Sequence, residues 1–227
     1  SGLTSGVASI AVGTFHVCAL TTAGGVKCWG SNFNGALGDG TQTDRPAPVT
    51  VFGLSSGVTQ VSAGEEHTCA LLTGGGMKCW GDNFYGALGD GTLTDRLTPT
   101  NVSGLTSGVA SITAGGMHSC AMTTLGQVKC WGENSQGQVG DGSIVNRTTP
   151  VNVTGLSTGV ASISAGFWHT CAFTTAGGVK CWGQNSEAEV GDGTLEDRTT
   201  PVDVLGLASG VSQLAVAGFH NCVLMSS

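Results

Sequence analysis

The chain has 227 residues, a net charge of −7, 10% charged residues and 39 glycines, with 40% apolar residues. That apolar content and the absence of a Gly-X-Y period exclude collagen and disorder, and no apolar run approaches the roughly 18–20 residues of a membrane span. The acidic balance excludes a basic stripe for nucleic acid, since the four lysines and four arginines each fall once per repeat. Ser1 and the missing basic and apolar leader pattern suggest that the numbering starts inside a longer or processed product.

In chain order the segments are short and β-like. Val7-Ala-Ser-Ile-Ala-Val12 alternates and ends at Gly13. Val17 to Thr21, a Thr22-Ala-Gly-Gly25 turn and Val26 to Trp29 form a hairpin with one cysteine on each strand. A polar loop from Gly30 to Arg45 leads to Pro46-Ala-Pro-Val-Thr-Val51, whose prolines fit an edge strand with no ladder bond to lose. No helical period is present.

This unit recurs. Cysteines stand at 18, 69, 120, 171 and 222, an interval of 51 residues, and residues 6–56 match residues 159–209 at 32 of 51 positions. A fixed period near 50 means a solenoid, a propeller or a linear array. Four strands per unit, the last an edge, predict an all-β chain: a β-propeller of four-stranded blades. The repeats run about 6–56, 57–107, 108–158 and 159–209, with a partial one at 210–227, so residues 1–227 read as one domain of four blades plus half a blade.

Three spaced motifs recur in order: Val58 to Leu71 with Ala-Gly-x-x-His, Met77 to Asn83 with Trp-Gly-x-Asn, and Gly86 to Gly91 with Leu-Gly-Asp-Gly. On these the whole chain resembles the regulator of chromosome condensation repeat family, which implies a β-propeller. Members are usually seven-bladed; four repeats and a fraction are the main departure from that pattern.

In each hairpin the two cysteines lie opposite one another, about 4.5 Å apart at Cα in a non-hydrogen-bonded pair, which is within disulfide range. Cys18–Cys28, Cys69–Cys79, Cys120–Cys130 and Cys171–Cys181 are the expected bridges; free core thiols and metal ligands stay open as alternatives. Four bridges imply an oxidising compartment, hence an extracellular, cell-surface or periplasmic protein. Cys222 is left unpaired, and its half hairpin is expected to be completed by more chain or by another subunit, allowing a homo-oligomer or filament.

His16, His67, His118, His169 and His220 follow glycine turns at strand starts, where they are expected to bond backbone groups of the neighbouring blade. Trp29, Trp80, Trp131 and Trp182 are expected to pack blade against blade. In the Gly-Asp-Gly loops an aspartate–arginine clamp is the default, with Asp44, Asp95 and Asp197 raising calcium as an alternative that Asn146 weakens. No catalytic constellation or phosphate loop is present, so no enzyme activity, cofactor or metal is expected. Asn101, Asn146 and Asn152 begin glycan acceptor triplets.

Function is expected where the copies differ. One variable set precedes each histidine: Phe15, Glu65, Glu66, Met117, Phe167, Trp168 and Phe219, the last allowing for a one-residue offset. The other follows Trp-Gly-x-Asn: Phe33, Phe84 and Tyr85. Large apolar residues at turns suggest a partner-binding rim, against the alternative that they plug gaps between blades. The expected function is a non-catalytic extracytoplasmic interaction, scaffold or adhesin module whose partner is a protein or a second copy. An inhibitor-like binder of a secreted enzyme is the alternative; guanine-nucleotide exchange on a small GTPase, implied by the family's namesake, fits the cysteines and acidity poorly.

Overall fold

A computed structural model describes residues 3–226, and among these there is no helix. Blade one is the antiparallel sheet β1 (Val7–Val12), β2 (His16–Thr21), β3 (Val26–Gly30), β4 (Arg45–Thr50). Blade two is β5 (Val58–Ala63), β6 (His67–Leu72), β7 (Met77–Gly81), β8 (Arg96–Asn101). Blade three is β9 (Val109–Ala114), β10 (His118–Thr123), β11 (Val128–Gly132), β12 (Arg147–Asn152). Blade four is β13 (Val160–Ala165), β14 (His169–Thr174), β15 (Val179–Gly183), β16 (Arg198–Asp203). The two-stranded sheet β17 (Val211–Val216) and β18 (Asn221–Met225) completes the array of four blades and a half. The proline-bearing strand is at the outer edge of each full blade, and it begins one residue earlier than expected, because Arg45 pairs with Gly30.

The four hairpins carry disulfides at the expected places. Cys18 pairs with Cys28, and the bridge closes with Cα atoms 4.1 Å apart, as do Cys69–Cys79, Cys120–Cys130 and Cys171–Cys181. Cys222 is exposed and free.

The apolar core lies between blades. Leu20, Val26, Leu37 and Val51 of blade one pack with Val58, Val61, Ala70 and Trp80 of blade two, and the next two junctions repeat this with Trp131 and Trp182. One blade exposes one apolar face, and stacking buries it, which is how a repeat array gains stability. Trp29 departs from the expected series: it is half-buried and lies on an open surface with Leu3, Val7, Ile10, Pro46 and Pro48.

Near the axis the blades nearly touch through backbone. A Cβ on Gly64 would meet the Gly115 carbonyl oxygen and the His67 ring at less than van der Waals distance, and Gly13, Gly115 and Gly166 face the same approach. Only glycine lets these inner strands come so close. In the fifth copy Val216 pairs with Asn221 as Val12 pairs with Val17, so the frame holds without the one-residue offset. Ala217 simply replaces the glycine.

Candidate protein-binding face

The blade junctions use a repeated polar relay. The Ala36 carbonyl of blade one accepts both the Trp80 indole N–H at 2.9 Å and the Thr68 hydroxyl at 2.8 Å. With its one proton given away, the Thr68 oxygen accepts from His16 Nε2 at 2.7 Å. The imidazole is therefore the Nε2–H tautomer, and its partner is a hydroxyl of the next blade instead of the expected backbone group. His67–Ser119 and His118–Thr170 repeat the arrangement at 2.9 and 2.8 Å, and His169 bonds the Asn221 amide oxygen at 2.8 Å. Burial pushes His67 and His118 down to about 3 and His16 down to about 4. Thr68, Ser119 and Thr170 follow His67, His118 and His169 inside a strand, but the histidine that each one serves lies one blade away.

The long polar loops are held from within. Asn32 is fully buried; its amide donates to Asp39, Thr41 and the Thr43 carbonyl, and its oxygen accepts from Leu37 N at 2.9 Å. Asn83, Asn134 and Asn185 do the same. The Trp-Gly-x-Asn motif marks these asparagines in the sequence, but the groups that they bond lie 5 to 12 residues further on in the loop, so the motif alone does not disclose this role. The Asp39–Arg45 clamp closes at 2.8 Å and recurs as Asp90–Arg96, Asp141–Arg147 and Asp192–Arg198. Asp44, Asp95 and Asp197 each accept the N–H of the buried asparagine, and Asn146 does so equally well through its amide oxygen. That shared role explains why an asparagine can stand in for the carboxylate. The sequon asparagines are exposed, with Asn101 and Asn152 oxygens accepting from Lys78 and Lys129.

The two variable sets, separate in sequence, form one rim. His16 pairs with Gly30, so the β1–β2 turn and the β3–β4 loop leave the sheet at the same end. Ser31 N donates to the Phe15 carbonyl at 2.9 Å, and Asp82–Glu66, Glu133–Met117 and Gln184–Trp168 repeat the stitch. On this rim Phe15, Phe33, Phe84 and Phe219 are exposed, while Tyr85, Met117, Phe167 and Trp168 are half-buried. Phe84 meets Tyr85 edge to face at 4.8 Å. Phe167 stacks on Phe219 at 5.9 Å, and Trp168 abuts both rings.

Over the first two blades the rim turns acidic. Phe15, Phe33, Asn34, Glu65 and Glu66 line a shallow crevice. Asn34 donates to Glu66 at 2.6 Å and to Asp82 at 3.2 Å, tying blade one to blade two. Burial pushes the Asp82 carboxyl up to about 6, and burial together with the carboxylates of Glu66, Asp82 and Glu133 raises Glu65.

Two models of the regulator of chromosome condensation (RCC1) repeat match, one at residues 7–36, 58–87, 109–138 and 160–188, the other at 23–71, 75–122 and 126–173. The chain is 35% identical over 202 residues to the ultraviolet-B receptor UVR8 of Arabidopsis thaliana, covering 87% of this chain and 46% of the receptor. It is 33% identical to the human E3 ubiquitin-protein ligase HERC2, covering 96% of this chain and 5% of the ligase. Human WBSCR16 superposes with a TM-score of 0.88 at 26% identity, over all of this chain and 60% of that one. Yeast RCC1 (Prp20), in its complex with Kap60, superposes at 0.82 and 23% identity, over 97% of this chain and 54% of that one, which shows the fold alone. The chain thus spans less than two thirds of each of these proteins.

Proposed function

The chain belongs to the RCC1 repeat family, and we propose that it is a non-catalytic protein-interaction or scaffold module working outside the cytoplasm. The observation that carries this reading is the rim: both variable loop sets emerge on one face and present large aromatic side chains to solvent. Exposed aromatics on rigid loops are the usual anchors of protein interfaces. His16, His67, His118 and His169 support a non-catalytic reading, because they are buried, weakly basic and already engaged through Nε2. Four buried bridges are compatible with an oxidising location.

The test is a pull-down from secreted and cell-surface proteins of the native source, with wild type and a Phe167→Ser/Trp168→Ser variant. Capture lost in the variant, with an unchanged unfolding midpoint, supports the rim as the binding face. A variant that instead unfolds supports the alternative, in which these rings only fill the gap between blades.

A further inference from the structure

The eight cationic side chains of this chain are distributed unevenly. The four arginines are held by Asp39, Asp90, Asp141 and Asp192 at 2.5–2.8 Å. The four lysines sit one residue into the third strand of each blade, beside the hairpin turn at the end opposite the rim. There they bond Thr50, Asn101, Asn152 and Asp203. Beside the aromatics, the variable rim positions carry the carboxylates Glu65, Glu66 and Glu187, and the x of Trp-Gly-x-Asn adds Asp82 and Glu133; none of these positions carries a lysine or arginine. The rim is thus aromatic and negative, with its counter-charge placed elsewhere.

We propose that the rim over blades one and two seats a cationic segment of the protein partner, an arginine or lysine whose stem lies along Phe15 and Phe33 and whose head meets Glu65 and Glu66. Aromatic rings attract a cation across their faces, and a carboxylate pair completes the neutralisation. Burial first, and then repulsion from Glu66, Asp82 and Glu133, raise Glu65, and an incoming positive charge would relieve the repulsive part. Arginine fits better than lysine, because its planar fork can stack on a ring while bonding a carboxylate. An anionic partner such as a nucleic acid or an acidic membrane would be repelled from the same face. This inference rests on the rim being the binding face.

The experiment uses the isotopically labelled full chain and three short blocked peptides, Gly-Arg-Trp-Arg-Gly, its neutral citrulline counterpart, and Gly-Glu-Trp-Glu-Gly. The Arg peptide should give saturable shifts of the Asn34 side-chain amide and the Glu66 backbone, and bind about five- to tenfold more tightly than the citrulline peptide. Glu65→Gln/Glu66→Gln should remove that preference and leave the unfolding midpoint unchanged. Equal binding of arginine and citrulline peptides, preference for the glutamate peptide, or no shift at Asn34 would overturn the proposal. If the partner captured through Phe167 and Trp168 is indifferent to Glu65→Gln/Glu66→Gln, the rim reading stands and the cation reading falls. If the arginine preference holds but the pull-down variant loses nothing, the reverse is true.

Discussion

The His67 Nε2–H points across a blade boundary to the Ser119 hydroxyl, 2.9 Å away, and that hydroxyl passes its own proton to the Ala87 carbonyl at 2.9 Å. All three groups are buried at the junction that also holds Trp131. Ser119→Ala would keep the indole bond to Ala87 but leave the imidazole N–H without an acceptor. An unsatisfied buried donor costs about 1–3 kcal/mol. Ser119→Thr should be nearly neutral, since Thr68 and Thr170 fill the equivalent place. Urea titration of both variants is the check, and a neutral Ser119→Ala would show that the relay is incidental.

The same burial sets the response to acid. His67 and His118 stay neutral in the fold down to about 3, and His16 down to about 4, while histidines in the unfolded chain titrate near 6.5. Between those values the unfolded chain binds protons that the native chain refuses. Stability present above pH 6.5 is therefore lost as pH falls, by about 1.4 kcal/mol per pH unit for each fully buried histidine. Asp82 and Glu65 work in the opposite sense, since their raised carboxyls take a proton in the native state first, but they are two groups against four buried histidines, His16, His67, His118 and His169. The urea midpoint should drop steeply between pH 6 and 4, and His67→Gln should flatten that slope. A midpoint unchanged from pH 7 to 4.5 would contradict the assignment.

Architecture was legible because it is local and repeated. The hairpin places Cys69 opposite Cys79 by its own turn, and alternation with a proline edge defines the blade without reference to any neighbour. What was not legible lies between copies. The partner of His16 is 52 residues away on the next blade, and the bonds of Asn34 to Glu66 and Asp82 span 32 and 48 residues. Spacing within a unit says nothing about which loops of two units adjoin. Within one unit the pairing of His16 with Gly30 brings both variable loops to one end, and the bonds of Asn34 to Glu66 and Asp82 join the loops of neighbouring units.

Each disulfide closes a hairpin with a sequence separation of 10, so its effect on the unfolded chain is modest and repeated four times. Loop-closure entropy gives about 2–3 kcal/mol per bridge. Cys69→Ala/Cys79→Ala should lower stability by that amount plus a further loss from the small void left in the core, since both sulfurs are fully buried. Denaturation of the double variant beside wild type, with and without reductant, measures it. An unchanged midpoint in reductant would mean that the strand pairing alone holds the hairpin.

One loop position separates a built-in fit from a built-in strain. Gly86 has a φ of +84°, and a Cβ there would lie 2.9 Å from Thr148 Cα on the outer strand of the next blade; Gly35 and Gly137 face Leu97 and Thr199 in the same way. In the fourth copy the equivalent residue is Ala188, held at a φ of +62°. A non-glycine residue in this left-handed region costs roughly 1–2 kcal/mol. Ala188→Gly should therefore stabilise the protein by about 1 kcal/mol, the gain being reduced by the greater freedom of glycine in the unfolded chain. Gly86→Ala should destabilise it by more than 2 kcal/mol, because the same backbone cost is joined by a collision that only movement of β12 can relieve. Urea midpoints of the two variants give the answer. Equal and opposite shifts would mean that backbone conformation alone sets the cost, whereas a larger loss at Gly86 separates the contact between blades from the strain within one loop.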